Sequence, residues 1–204
     1  MKSGNGQRGI APKGHPCLKR NNSLGYNMKI TQIIFALLAW TMPYNVRGQT
    51  STIVSGSTDF SIRFVLGTCY GTFEGPKGEV RFDEKHPEQA YFDITVAAAS
   101  FNTNSNLRDK DMKSEKYFFV TKYPKIHFKS TKIDRKDGHY VATGTLTIRD
   151  VSKKVSLPFE AKRNNDGTYS LSSTFDLNRL DYKVGEKNWK LKEVVTVSLK
   201  AVIK

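Results

Sequence analysis

The closing run Val195–Ile203 constrains the fold more than any other stretch. Val195, Val197, Leu199, Ala201 and Ile203 alternate with Thr196, Ser198 and Lys200, ahead of a final Lys204. In an extended chain successive side chains point to opposite faces, so such a run has one apolar and one polar side. The pattern recurs along most of the chain after residue 50. Phe60, Ile62, Phe64 and Leu66 share one side, opposite Ser61 and Arg63. Phe92, Ile94, Val96 and Ala98 form another such row, as do Tyr140, Ala142, Gly144, Leu146 and Ile148. Val155, Leu157, Phe159 and Ala161 follow, then Tyr169, Leu171, Ser173 and Phe175. Turn residues separate the rows: Gly75-Pro76-Lys77-Gly78, Arg135-Lys136-Asp137-Gly138 and Asn164-Asn165-Asp166-Gly167 each predict a hairpin. About eight short strands joined mostly by hairpins imply an all-β fold, an antiparallel sandwich or a closed barrel.

One connection breaks the rhythm. Between the strand-like runs Tyr91–Ala98 and Ile126–Ile133 lies a polar insert, Asn102–Lys116. A connection of this length in a compact β domain carries function or its own helix. Asn106 is placed to cap a short helix running to Lys113, with Leu107 and Met112 as its apolar contacts. A helix so polar cannot be core, but it can close one end of a barrel.

The charge separates the two ends of the chain. Residues 1–48 hold seven Lys or Arg and no acid, leaving 26 basic against 19 acidic residues in the remainder. Met28-Lys29, the apolar run Ile30–Trp40, Pro43 and the small residues near Val46-Arg47-Gly48 match the three parts of a signal peptide. The run is too short to span a bilayer as a helix. Residues 1–27 therefore read as an extension upstream of a true start at Met28, residues 28–48 as the signal, with a single N-terminal anchor as the rival reading, and residues 49–204 as the domain. That domain holds one cysteine, Cys69, which excludes an internal disulfide and reads as a small apolar strand residue.

The chemistry-bearing residues do not converge. Asp109 and Asp111 are two apart, so on a helix they diverge. His86, His127 and His139 fall on separate turns or strands without metal-ligand spacing. No Gly-x-Ser-x-Gly elbow is present, and the Gly-rich turn lacks the lysine and hydroxyl of a phosphate loop. Lysines of the basic stretch Lys122–Lys136 alternate with apolar residues, as on a solvated strand face, and no nucleic-acid motif accompanies them. This pattern gives no sign of an enzyme or of a nucleic-acid partner.

A sheet so rich in inward aromatics allows two interiors, a dry packed core or an elongated apolar cavity. Each buried CH₂ stabilises by about 0.8 kcal/mol, so a five-carbon isoprene unit gains roughly 3–4 kcal/mol. A polyprenyl tail could therefore bind without polar contacts along its length, and no motif would mark it.

The order of motifs resembles the bacterial YceI family of lipocalin-like secreted proteins, known as polyisoprenoid-binding. The resemblance runs from about Phe60 to the C-terminus. It is carried by Gly71-Thr72-Phe73, Gly78–Asp83, Ala99–Thr103 with Arg108-Asp109, Lys122–Ser130, Gly144–Lys153 and Asn178–Gly185. The departures are Gly56-Ser57 in place of a His-Ser pair, Asp150 in place of Gly, and Tyr182-Lys183 in place of Phe-Gly. The resemblance implies an antiparallel lipocalin-like β-barrel of about eight strands, a periplasmic or secreted location, and an isoprenoid quinone or polyprenyl lipid as ligand, with no catalytic residues, metal or cofactor. The cavity would be lined by Phe60, Phe64, Phe82, Phe92, Ile94, Ile126, Phe128, Tyr140, Leu146, Phe159 and Phe175. Leu107, Arg108, Asp109, Met112, Tyr117 and Phe118 would form a lid or rim, Arg108 and Asp109 as an ion pair pinning the lid, with Phe119 beside them. The pattern is compatible with transient membrane contact and with a homodimer. The rival is a closed, dry barrel acting as a non-enzymatic envelope interaction or stress protein through its outer surface.

Overall fold

A computed structural model describes residues 51–204. The putting together of the fold begins with one long strand, β1 (Ser51–Phe64), whose two edges are both occupied. On one edge it pairs antiparallel with β9 (Leu191–Ile203), from Ile53 opposite Ile203 to Phe64 opposite Leu191. On the other edge β2 (Gly67–Phe73) takes its C-terminal half and β3 (Lys77–Arg81) its first residues. From β3 the sheet continues through β4 (Tyr91–Ala97), β5 (Lys125–Lys136), β6 (His139–Ile148), β7 (Val151–Arg163) and β8 (Tyr169–Asn178) to β9. Every pairing is antiparallel, and the β1–β9 contact closes an eight-strand barrel in which β2 and β3 share one position.

That shared position corrects the sequence reading of Gly75-Pro76 as a hairpin turn. β2 and β3 run on in the same direction instead of pairing with each other. The cause is a close backbone approach: a Cβ on Gly75 would lie 2.3 Å from the Gly56 carbonyl oxygen, and one on Gly56 would lie 2.9 Å from Pro76 Cδ. Two glycines let the strands touch there, and Pro76, lacking an N–H, interrupts the ladder. The other two expected hairpins form. Asp137 and Gly138 both have positive φ between β5 and β6, as a tight two-residue turn requires. Gly167 does the same between β7 and β8, where the Asn164 N–H donates to Thr168 O. Leu66 departs from its expected row because it sits in the turn beyond β1, outside the barrel.

The two ends of the barrel differ. At the end holding the β5–β6 and β7–β8 turns, Phe82, Tyr140, Phe159 and Tyr169 pack edge-to-face or stacked with ring centres 5.1–5.8 Å apart. At the opposite end β7 and β8 diverge, since only Glu160–Arg163 of β7 pairs with Tyr169–Ser172 of β8. There the insert takes over. Asn102 pairs with Thr72 through both backbone hydrogen bonds, covering the edge of β2 that β4 does not reach. The helix α1 (Asn106–Lys113) follows, as expected, although Ser105 occupies the N-cap position and Asn106 is the first helical residue.

Candidate functional site

The barrel encloses a cavity of about 470 Å³. Nine of the eleven residues expected on its wall are there: Phe60, Phe64, Phe92, Ile94, Ile126, Phe128, Leu146, Phe159 and Phe175. Their placement follows from the alternation, helped by one irregularity. A bulge between Ser130 and Lys132 shifts β5 by one residue, so that Phe128 and Ser130 point inward before it and Ile133 after it. The Ser130 hydroxyl accepts the Phe92 N–H at 2.8 Å, so the polar atom at the bulge has a partner.

Phe82 and Tyr140 lie elsewhere. They sit below the cavity floor in the aromatic plug, where Phe159 stacks on Tyr140 and presents its own ring to the space above. Burial in that plug pushes the Tyr140 hydroxyl pKa up. The apolar wall also includes Ile62, Phe73, Val96, Leu157, Leu171, Leu177, Val195, Val197 and Leu199, which continue the same rows and which the sequence reading did not single out as lining residues. Phe101 was missed for another reason. It lies outside every strand, yet it stacks on Phe60 with centres 4.9 Å apart and meets Phe73 and Phe118, fastening the insert to β1 and β2.

Of the expected rim residues, Arg108, Met112, Tyr117 and Phe118 face the cavity. Leu107 points to solvent, and Asp109 is turned away from the space. Phe119 packs on Tyr123 and does not line the cavity. The Arg108–Asp109 ion pair is absent from the described structure, because neighbours on a helix point about 100° apart. Asp109 Oδ1 instead accepts the Thr103 N–H (2.9 Å) and hydroxyl (2.6 Å), while Arg108 Nη1 donates to Cys69 Sγ (3.2 Å). The lid is pinned on both sides, to its own lead-in and to β2.

A second clamp closes the other side of the mouth. Arg179 follows β8 and is only 6% exposed. It donates to four backbone carbonyls, of Lys192 (3.1 Å), Val184 (2.8 Å), Glu186 (2.9 Å) and, more weakly, Leu191 (3.5 Å). Burial lowers its pKa from the ordinary guanidinium value. These bonds hold the loop from Val184 to Leu191 against the start of β9. Two of the three departures from the family pattern meet here: Lys183 has φ +55°, a backbone setting suited to glycine, and its Nζ pairs with Asp150 at 3.2 Å.

The charged groups on the cavity wall are Arg108, Asp111, Arg179 and Lys190, all at the mouth; the other polar side chains lining it are Thr58, Cys69, Tyr117, Ser172, Ser173 and Tyr182, set among apolar ones. Two histidines bonded to carboxylates stand on the outer surface: His127 Nε2 lies 2.6 Å from Asp93 Oδ1 and His86 Nδ1 lies 3.1 Å from Asp83 Oδ2. Among the described residues no group of three metal-ligating side chains comes together. Such a space can hold a slim apolar molecule with its polar end outward.

A closed antiparallel barrel around an apolar interior, with a helix across its mouth, defines a small lipocalin-like protein. The YceI-like domain matches residues 44–203, and the chain belongs to that family. It is 41% identical over 91 residues to a UPF0312 protein of Photorhabdus laumondii, a match covering 45% of this chain and 47% of that one. The chain spans about half the length of the curated relatives it matches. Among solved structures, Burkholderia cenocepacia BcnA superposes with a TM-score of 0.68 at 21% identity, over 72% of this chain and 95% of that one. A polyisoprenoid binding domain from Saccharophagus degradans gives 0.60 at 11% identity, over 76% and 97%. At these identities the likeness speaks for the fold.

Proposed function

We propose that this protein holds one elongated apolar ligand, an isoprenoid quinone or polyprenyl lipid, tail inward, for carriage or storage in the bacterial cell envelope. The observation that carries the reading is the cavity itself, apolar along its length and charged only at its mouth. Its volume is about three times that of an engineered cavity that holds benzene, or room for roughly 18 carbons. Three to four isoprene units fit inside, and a longer chain would extend through the mouth. At roughly 3–4 kcal/mol per isoprene unit, burial alone supplies most of the affinity. The polyisoprenoid-binding description of the Saccharophagus domain supports the ligand class. The envelope location rests on the signal pattern of residues 28–48, which lies outside the described residues. Nothing in this reading calls for catalysis, a metal or nucleic acid.

The test is uptake of an added polyprenol or isoprenoid quinone. Ile94 and Val197 both line the space from opposite walls. Ile94→Trp and Val197→Trp fill it, so uptake falls at least tenfold while the melting temperature holds or rises. In a packed core the same insertions would cost about 1–3 kcal/mol and leave no uptake to lose. Uptake that is undetectable in the parent protein would end the proposal.

A further inference from the structure

The mouth is ringed by large apolar side chains that the fold does not bury. Leu66 is 89% exposed, Leu107 83% and Trp189 78%, with Val65 also exposed beside Leu66. They come from three separate segments, the β1–β2 turn, α1 and the loop before β9, and the structure ties these together. The Val65 N–H donates to Lys190 O at 3.0 Å, joining the turn to the Trp189 loop. Arg108 reaches Cys69 on β2, joining α1 to the same turn's second strand.

Trp189 is held outward by design of the local chain. Asn188 Oδ1 accepts the N–H groups of both Lys190 (3.0 Å) and Leu191 (2.9 Å), a compact turn that throws the intervening indole into solvent. Lone exposed apolar residues are ordinary, but a group gathered at one opening marks a surface that meets something apolar. Trp suits a boundary where one side is apolar and the other wet.

Cations flank these side chains. Lys190 stands over the Trp189 ring at 5.5 Å, Lys192 is exposed at the start of β9, and Lys110 lies one turn from exposed Leu107 on α1. Arg63, exposed near the end of β1, adds a further cation beside the β1–β2 turn. The acids of the three segments are Asp109, Asp111, Glu115, Glu186 and Glu193, the last paired with Lys187 at 3.3 Å, so residues 63–70, 105–117 and 186–193 together hold eight Lys or Arg against five Asp or Glu. Apolar tips among a surplus of lysines match a bilayer surface of anionic phospholipid, whose phosphates attract the cations while the tips enter the acyl boundary.

We propose that this rim docks onto anionic phospholipid bilayers with the mouth facing the membrane. The docking does not depend on which ligand the cavity holds. The test uses the full chain carrying Trp40→Phe, which leaves Trp189 as its single tryptophan, mixed with vesicles of phosphatidylcholine alone or with added phosphatidylglycerol, their acyl chains brominated. On the phosphatidylglycerol vesicles Trp189 emission shifts to the blue and is quenched by bromine. Lys190→Gln and Lys192→Gln each lower the partition coefficient about fivefold. Leu66→Ser with Leu107→Ser abolishes the quenching while far-ultraviolet circular dichroism and melting stay unchanged. Three results would overturn the proposal: Trp189 remaining open to aqueous iodide on vesicle-bound protein, as when the apolar run Ile30–Trp40 alone makes the contact; equal quenching on phosphatidylcholine alone; or shielding of Trp189 by added envelope protein but not by vesicles.

Discussion

The two ends of this barrel are made from the same strands and do opposite things. At the plugged end lie two short turns and the β3–β4 connection, residues 82–90, and Phe82 of that connection closes the opening from within together with Tyr140, Phe159 and Tyr169. At the mouth the chain makes its two long excursions, residues 98–124 and 179–190, and β7 and β8 separate. The plug is held by dispersion and burial. At the mouth the root of the insert packs through Phe101 and Phe118 on Phe60 and Phe73, while the lid helix itself is held by a few polar bonds, Asp109 to Thr103 and Arg108 to Cys69, and the facing loop by Arg179 on backbone carbonyls. An end closed by packing is part of the global fold, whereas a lid helix with no buried residue of its own, held by a few hydrogen bonds, can open without unfolding the rest.

That contrast can be broken at either end. Phe82→Ala removes the ring that touches three other aromatics, and should lower stability by about 3–5 kcal/mol in urea unfolding. If it costs under about 1 kcal/mol, the plug is not a structural floor. Asp109→Ala removes the acceptor for two Thr103 donors and should cost about 1–2 kcal/mol. Its main effect should be kinetic: a bound lipid leaves faster, and amide exchange in Asn106–Lys113 rises while exchange in β9 does not. Equal loss of protection in both segments would make the lid part of the core.

The outer wall supplies the smallest effect. Asp93 is bonded to His127, Tyr91 and Lys129, which holds its carboxyl pKa down from 3.8 to about 2. Because the folded value lies below the unfolded one, this stabilisation is present above about pH 4. It fades as pH falls through the folded value of about 2. The side chain is partly exposed and screened, so Asp93→Asn should change neutral-pH stability by no more than about 1 kcal/mol. Between pH 4 and 2 the variant should lose stability less steeply than the parent. Identical acid profiles would show that the cluster contributes nothing.

The strands were legible because Val195–Ile203 and its counterparts alternate cleanly, and alternation states which side faces in. It does not state how far in. Phe82 and Phe92 look alike in sequence, yet one is plug and the other cavity wall, a difference set by strand register and closure. Gly75-Pro76 reads locally as a turn because its true partner, Gly56, is remote in sequence. The lid helix was visible from its polar composition, but the partners of Arg108 and Asp109 were not, since Cys69 and Thr103 reach them only through the folded insert. Trp189 carried no signal at all, standing in the polar run Glu186–Lys190 without periodicity.

The central claim is that the space inside the barrel is a binding site. Native mass spectrometry of the protein purified from bacterial membrane-containing extracts tests it most directly. The account predicts a single added mass of one isoprenoid lipid per chain, absent from Ile94→Trp. A spectrum showing only the bare chain, before and after incubation with polyprenol and isoprenoid quinone, would contradict it.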